Sequence, residues 1–155
     1  MQLKVVAAGT RMPDWVSTAC DDYSRRMPRE LKVRWFEVPL GKRHRNQAAE
    51  RAVAAEAAAM LSRIDAADRV IALDVCGEAW STPELAIRLG RWQMGGGNVA
   101  LLIGGPDGLG QPCLDRANGR WSLSPLTLPH PLVRVLLVEQ LYRAWTINKG
   151  HPYHR

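Results

Sequence analysis

The stretch "NVALLIGGPDGLG", residues 98–110, sets five apolar residues in a row against a loop with four glycines in seven positions. A continuous apolar run without polar alternation marks a strand buried on both faces, as in a parallel sheet covered by helices. "RVIALDV" (69–75) repeats the pattern, and residues 2–8 form a third such strand around Val5 and Val6. "LKVRWFEV" (31–38) alternates Leu31, Val33 and Trp35 with Lys32, Arg34 and Phe36, which suits another strand.

Helical patterns separate these strands. Trp15, Val16, Ala19, Cys20, Tyr23 and Met27 share one face of a helix over 14–27, and the alanine-rich run 47–63 is a strong helix former. Ser81-Thr82-Pro83-Glu84 opens a helix with a hydroxyl cap, a first-turn proline and a glutamate three residues on. It runs to about Met94 and stops at Gly95-Gly96-Gly97. A short helix over 111–118, a fifth strand at "RWSLS" (120–124) and a last helix over 131–148 complete the chain. Strands alternating with helices predict an α/β fold, a mainly parallel open sheet with helices on both faces, in one domain over 1–155. In such sheets ligands bind beyond the carboxyl ends of the strands. Three loops leave such ends and should converge: "DVCG" after Leu73, "GGPDG" after Ile103 and "SPLTLPHP" after Leu123.

Composition narrows the function. The longest apolar runs are too short to span a bilayer and the N-terminal stretch is too small for a secretory signal, so a cytoplasmic protein without a membrane partner is expected. Cys20, Cys76 and Cys113 lack any metal-ligand or disulfide spacing, which predicts buried free thiols and no metal. The net charge of +6 is concentrated between Arg25 and Arg45, where eight basic residues face only Glu30 and Glu37; elsewhere the charges cancel. That segment, which includes the loop "GKRHRN", is the footprint expected for a polyanion, nucleic acid first. Leu132, Val133, Val135, Leu136, Leu137, Val138, Leu141, Tyr142, Trp145 and Ile147 cover most of the last helix, interrupted by Arg134, Glu139, Gln140 and Arg143. Such a helix must bury more than one face, and a symmetric homodimer would satisfy it.

The glycine loop does not suit a phosphate. It lacks the lysine and hydroxyl of a P-loop and the spacing of a dinucleotide fingerprint, Pro106 has no amide hydrogen, and Asp107 would repel a pyrophosphate. In "SLSPLTLPHP" (122–131), Ser122, Ser124 and Thr127 interleave with leucines along a path stiffened by prolines. It offers backbone groups beside an apolar wall, suited to a flat heterocycle without high negative charge.

"LDVCG", "LLIGGPDG", "WSLSPLTLPHPLVRVLLVEQLYRAW" and the terminal "HPYHR" together resemble the RlmH family of ribosomal large-subunit methyltransferases, over essentially the whole chain. The resemblance implies a SPOUT-type α/β fold with a C-terminal trefoil knot. It implies methylation of N3 of a pseudouridine in helix 69 of 23S rRNA, on the assembled ribosome, by a homodimer using S-adenosylmethionine. By the same resemblance Leu73, Gly104 and the run Leu123, Ser124, Pro125, Leu126, Thr127, Leu128 hold the donor. Gly105 is expected to bind it too, since Gly104 and Gly105 have no side chain and would allow close approach. Pro125 leaves no amide to donate at its position. The N3 proton needs an acceptor or a polarising cation, for which His130, Arg143, His151, His154 and Arg155 are candidates. His154 and Arg143 are the residues expected to act, with the tail completing the partner's crevice in a dimer; His130, between two prolines, reads as structural. The alternative is a non-catalytic ribosome- or RNA-binding module that uses the basic face 25–45.

Overall fold

The computed structural model describes residues 1–45 and 48–155. The elements are β1 (Gln2–Ala8), α1 (Asp14–Arg26), β2 (Lys32–Val38), α2 (Glu50–Leu61), β3 (Arg69–Ala79) and α3 (Thr82–Gly95). They are followed by β4 (Val99–Ile103), α4 (Gln111–Arg116), β5 (Gly119–Ser122), α5 (His130–Asn148) and a 3-10 turn at Pro152–His154. All strand pairs are parallel, in the order β2-β1-β4-β3-β5.

The apolar runs are strands because both of their faces are covered. Leu3, Val5 and Ala7 of β1 join Val99, Leu101 and Ile103 of β4 beneath Leu85 and Leu89 of α3 and Leu137 and Leu141 of α5. Val6, Ala8, Val70, Ala100 and Leu102 point the other way, against Ala57 and Met60 of α2 and Cys113 of α4. Period-two alternation along each strand therefore feeds two cores. Val16 and Cys20 of α1 close on Val138 of α5. Burial pushes the Cys20 thiol up to about 11.

Several boundaries moved for local reasons. The third strand continues to Ala79, so no simple "DVCG" loop follows Leu73. Residues 74–77 instead bulge out of the ladder: both Leu73 and Glu78 lie opposite Trp121 of β5. Asp74 Oδ1 accepts the Cys76 amide at 3.1 Å inside the bulge, which leaves Cys76 exposed rather than buried. β5 stops at Ser122, two residues early, because Ser122 Oγ donates to the Ser124 carbonyl and the Leu126 amide donates to Ser124 Oγ, bending the chain out. α4 stops at Arg116 because Asn118 is tied to Val70 of β3, through its amide at 2.7 Å and its side-chain oxygen at 2.8 Å. α2 is in place by Glu50; the expected start at Gln47 lies outside the described residues. α3 keeps its full capping box, with Ser81 Oγ accepting from Glu84 and Glu84 accepting from the Ser81 amide, and ends at Gly96 in the left-handed conformation. α5 begins at His130, one residue earlier than its sequence pattern.

One charge is buried on the α2 side of β1. Lys4 Nζ is held at 2.6 Å by Asp65 and at 2.7 Å by Asp68, itself buried. Burial alone would lower the lysine pKa, but the two carboxylates outweigh it and the value is raised.

Candidate functional site

The carboxyl ends of β3, β4 and β5 meet around a cleft of about 440 Å³, within the size range of small-molecule sites. Its walls carry Leu73 and Asp74 from β3, Ile103 to Leu109 after β4, and Trp121 to Ser124 with Leu126 and Leu128 after β5. Leu114 of α4 and His130 and Val133 of α5 close it. Of the residues expected to hold a donor, Leu73, Gly104, Gly105, Leu123, Ser124, Leu126 and Leu128 line this cleft. Pro125 and Thr127 are exposed in the same loop and are not part of the lining.

No lysine or arginine is among the lining residues; the ionisable side chains are Asp74, Asp107 and His130. An apolar cleft edged by two carboxylates favours a cationic ligand and opposes a polyphosphate. Asp74 stands 3.7 Å from Arg120 and Asp107 2.9 Å from Arg43, so both carboxylates are held from outside the cleft.

The glycines act differently from the sequence expectation. A side chain on Gly104 would place its Cβ 2.5 Å from the Gly108 carbonyl carbon, so this glycine lets the loop close on itself. The turn is completed by the Gly108 amide donating to the Gly105 carbonyl, with Gly108 at φ +79°. A Cβ on Gly105 would meet Glu56 Oε1 and Leu40 Cδ2, each at 3.0 Å, on the α2 side. The room left by that missing side chain is therefore taken by protein, not by a ligand.

Sequence patterns did not reveal the latch behind the loop. Glu56 of α2 is buried; it accepts two bonds from Arg43 at 3.0 Å and one from the Gly41 amide. Because Arg43 also reaches Asp107, the basic loop after β2 is fastened to the cleft wall. Glu56 was hidden within an alanine-rich helix that gives no reason to single it out.

His130 is structural in its contacts, as expected: Nδ1 lies 2.9 Å from the Gly104 carbonyl and Nε2 accepts from Arg134 at 2.8 Å. Burial, reinforced by the Arg134 charge, lowers its pKa. The other candidates lie elsewhere. Arg143 is thirteen residues beyond His130 on α5, or about 20 Å at the helical rise. It pairs with Glu139 at 2.6 Å and sits over the Tyr153 ring. The tail folds onto its own α5. His151 accepts from the Tyr153 amide and lies near Trp145; Tyr153 packs edge-on against Tyr142 and donates to Glu139 at 3.1 Å. His154 Nδ1 is buried with no hydrogen-bond partner among the described residues, and Arg155 ends the chain exposed. Within one chain the fold does not bring Arg143, His151, His154 or Arg155 to the cleft.

The basic segment is likewise divided. Arg25 and Arg26 pair along α1 with Asp21 and Asp22, and Arg43 is consumed by the latch. Among the described residues Arg29, Lys32, Arg34, Lys42 and Arg45 have no ion pair. Lys32 and Arg34 project from edge strand β2, and Lys42 and Arg45 follow it toward the cleft end of the sheet.

The family model described as a predicted SPOUT methyltransferase matches residues 1–154. The ribosomal RNA large subunit methyltransferase H of Chromohalobacter salexigens is 55% identical over 155 residues, covering all of both chains. That of Hahella chejuensis is 52% identical, covering all of this chain and 99% of the relative. The chain belongs to the ribosomal RNA large subunit methyltransferase H family. A solved structure of a probable methylase family protein from Haemophilus influenzae, 13% identical, superposes with a TM-score of 0.59 over 99% of this chain and 70% of that one. That likeness concerns the fold alone, and with the family it places the chain among SPOUT-type α/β knots. No helix of the described residues is long and apolar enough to cross a membrane. Nor do the described residues contain a cluster of side chains able to hold a metal.

Proposed function

We propose that the chain is an S-adenosylmethionine-dependent methyltransferase that methylates N3 of a pseudouridine in helix 69 of 23S rRNA, on the assembled ribosome. It works in the cytoplasm as a single-domain protein in a homodimer, without a metal. The observation that carries this reading is the cleft itself, apolar, edged by Asp74 and Asp107 and free of basic side chains in its lining. S-adenosylmethionine, when bound, supplies a methyl group on a positively charged sulfur. Leu73, Leu123 and Leu128 exclude water from that charge, while backbone groups at Gly104, Gly105, Ser124, Pro125, Leu126 and Thr127 orient the donor. Pro125 and Thr127 contribute from the exposed side of the loop, and position 125 offers only its carbonyl. Holding donor and acceptor in line accounts for most of the rate enhancement.

N3 gains a methyl group and gives up a proton, so a cation or acceptor must stand beside it. Arg143 and His154 take this role across a two-fold axis, since Arg143 is about 20 Å along α5 from His130 in its own cleft and the tail that carries His154 packs on α5 outside that cleft. A symmetric pairing through the exposed strip of α5, Leu132 and Leu136 at 41% and 39% exposure, carries one tail toward the partner's cleft. Lys32, Arg34, Lys42 and Arg45 supply the phosphate-binding face. Calorimetric titration with S-adenosylmethionine tests the donor reading: no saturable binding would leave the non-catalytic RNA-binding module standing. Mass spectrometry of 23S rRNA from cells with and without the protein tests the target, which the proposal requires to lose its methyl group in the deletion.

A further inference from the structure

Resting on the donor reading above, we infer that Arg134 and His130 are positioning residues that set the cleft's central peptide. Arg134 is 3% exposed, deep under the N-terminal end of α5. Its guanidinium donates to the Gly9 carbonyl at 2.7 Å, to Glu37 Oε2 at 2.6 Å and to His130 Nε2 at 2.8 Å. The His130 ring then reaches the Gly104 carbonyl at 2.9 Å. Gly9 follows β1, Glu37 lies near the end of β2 and Gly104 follows β4, so one buried cation pins three neighbouring strand ends to α5.

The chemistry forces a single protonation state. Arginine only donates, so Nε2 must be an acceptor, the ring must be neutral and its one proton must sit on Nδ1. That proton is donated to the Gly104 carbonyl. The same planar trans peptide carries the Gly105 amide on its opposite side, so fixing the oxygen fixes the direction of that N–H. Arg134 thus governs, through His130, how the middle loop presents its backbone to the donor. Glu37 balances the arginine charge, and the other titratable groups of the cleft, Asp74 and Asp107, are held by Arg120 and Arg43.

Protonating His130 would turn Nε2 into a donor facing the Arg134 Nε–H and break the chain of bonds. Burial and the Arg134 charge keep the pKa low, so the linkage is intact at neutral pH and fails on acidification. The test is S-adenosylmethionine titration of the full-length wild type, His130→Ala and His130→Asn at pH 6.8 and down an acid series to the limit at which the fold holds, with thermal melts of each. Asparagine can donate from the Nδ1 position but has no group at Nε2 and does not titrate. Expected at pH 6.8 are at least tenfold weaker binding by His130→Ala and partial recovery by His130→Asn, which restores the donor to the Gly104 carbonyl but not the bond to Arg134. The wild type should lose affinity as the pH falls below the ordinary histidine range, since burial and the Arg134 charge delay His130 protonation, while His130→Asn stays flat. Wild-type affinity in His130→Ala, or an equal acid loss in His130→Asn, would overturn the inference alone. No binding by the wild type would remove the donor reading and the inference with it. If His130→Ala melts before binding can be measured, the pH comparison between wild type and His130→Asn decides.

Discussion

Adding one methyl group at Gly104 should disable the donor cleft more than adding one at Gly105. The Gly104 Cβ would sit 2.5 Å from the Gly108 carbonyl carbon, 2.7 Å from the Leu109 nitrogen and 2.8 Å from the Gly108 oxygen. Comfortable carbon contacts begin near 3.5 Å, so the loop backbone must open by roughly 1 Å. All three obstructing atoms belong to the main chain, and no rotamer change relieves them. Opening the turn strains the Gly108 amide bond to Gly105 and the His130 bond to the Gly104 carbonyl. Overpacking of this kind costs about 1–3 kcal/mol. If that cost falls on the bound loop, it weakens S-adenosylmethionine binding by roughly 5- to 150-fold, since about 1.4 kcal/mol is a factor of ten. If it falls on the fold, the melting temperature drops by about 2–4 °C per kcal/mol for a chain of this size. At Gly105 the same methyl meets Leu40 Cδ2, which can rotate away, and Glu56 Oε1, which the Arg43 latch holds, each at 3.0 Å, a looser contact than the main-chain atoms around Gly104. Calorimetry and thermal melts on Gly104→Ala and Gly105→Ala measure both channels. If Gly104→Ala binds within twofold of wild type without loss of melting temperature, or Gly105→Ala is the worse variant, the loop does not close as described.

Replacing Lys32 and Arg34 by glutamine should lower the salt slope of ribosome binding by roughly one to two, whereas Arg25→Gln with Arg26→Gln, already paired to Asp21 and Asp22, should change it less. Filter binding across a salt series decides, and equal slopes for the two double variants would return the β2 edge to ordinary surface. Leu136→Glu should yield monomers in sedimentation velocity while leaving the melting temperature near wild type, since Leu136 is half-exposed in the single chain; an unchanged dimer would exclude the α5 strip as the interface. Asp68→Ala should cost about 3 kcal/mol because it strips a buried partner from Lys4 and leaves only Asp65, itself mostly exposed. The raised Lys4 pKa makes that pair's contribution fully present below the unfolded lysine value of about 10.4 and lost as pH climbs through the folded value. Alkaline melts should therefore fall more steeply for wild type than for Lys4→Met, and parallel curves would contradict the buried pair.

The strands and helices were legible because each was written in a pattern that one local rule decodes. "VALLI" and "VIAL" are uniformly apolar since two layers of helices cover them, and the Ser81 box spells its own cap. The bulge at 74–77 was not legible. Its residues, Asp74, Val75, Cys76 and Gly77, read equally well as a strand end or a loop, and only pairing with β5, far along the chain, shows that β3 resumes at Glu78. The all-round apolar surface of α5 was read as a sign of a partner. Much of it is instead spent on α1, α3 and the sheet within the same chain, and Leu132 and Leu136 are what remains exposed. Composition could say that α5 is covered on most sides, but not by what.

The site divides along the same line. Leu73, Gly104 and the leucines after β5 were found because strand ends converge by a topological rule, whatever the details of packing. The residues that hold those loops in place, Glu56, Arg134 and Glu37, are separated by 19 to 97 positions and share no motif. They are found only by following buried charge: a carboxylate or guanidinium almost out of water must be paired, and its partners mark what it fixes. Glu56 fixes the basic loop to Asp107, and Arg134 fixes the Gly104 peptide, so the middle loop is gripped from both faces of the sheet. Arg143 and His154 differ again. Their residue types suit the chemistry, yet Arg143 stands thirteen residues along α5 from His130, and the turn that carries His154 packs on α5 outside the cleft lining. No rearrangement of that helix shortens the distance without breaking its packing on α1 and α3. If these two residues act at N3, the site must be shared between two chains, and a monomer that binds S-adenosylmethionine normally but transfers no methyl group is the outcome that this geometry demands.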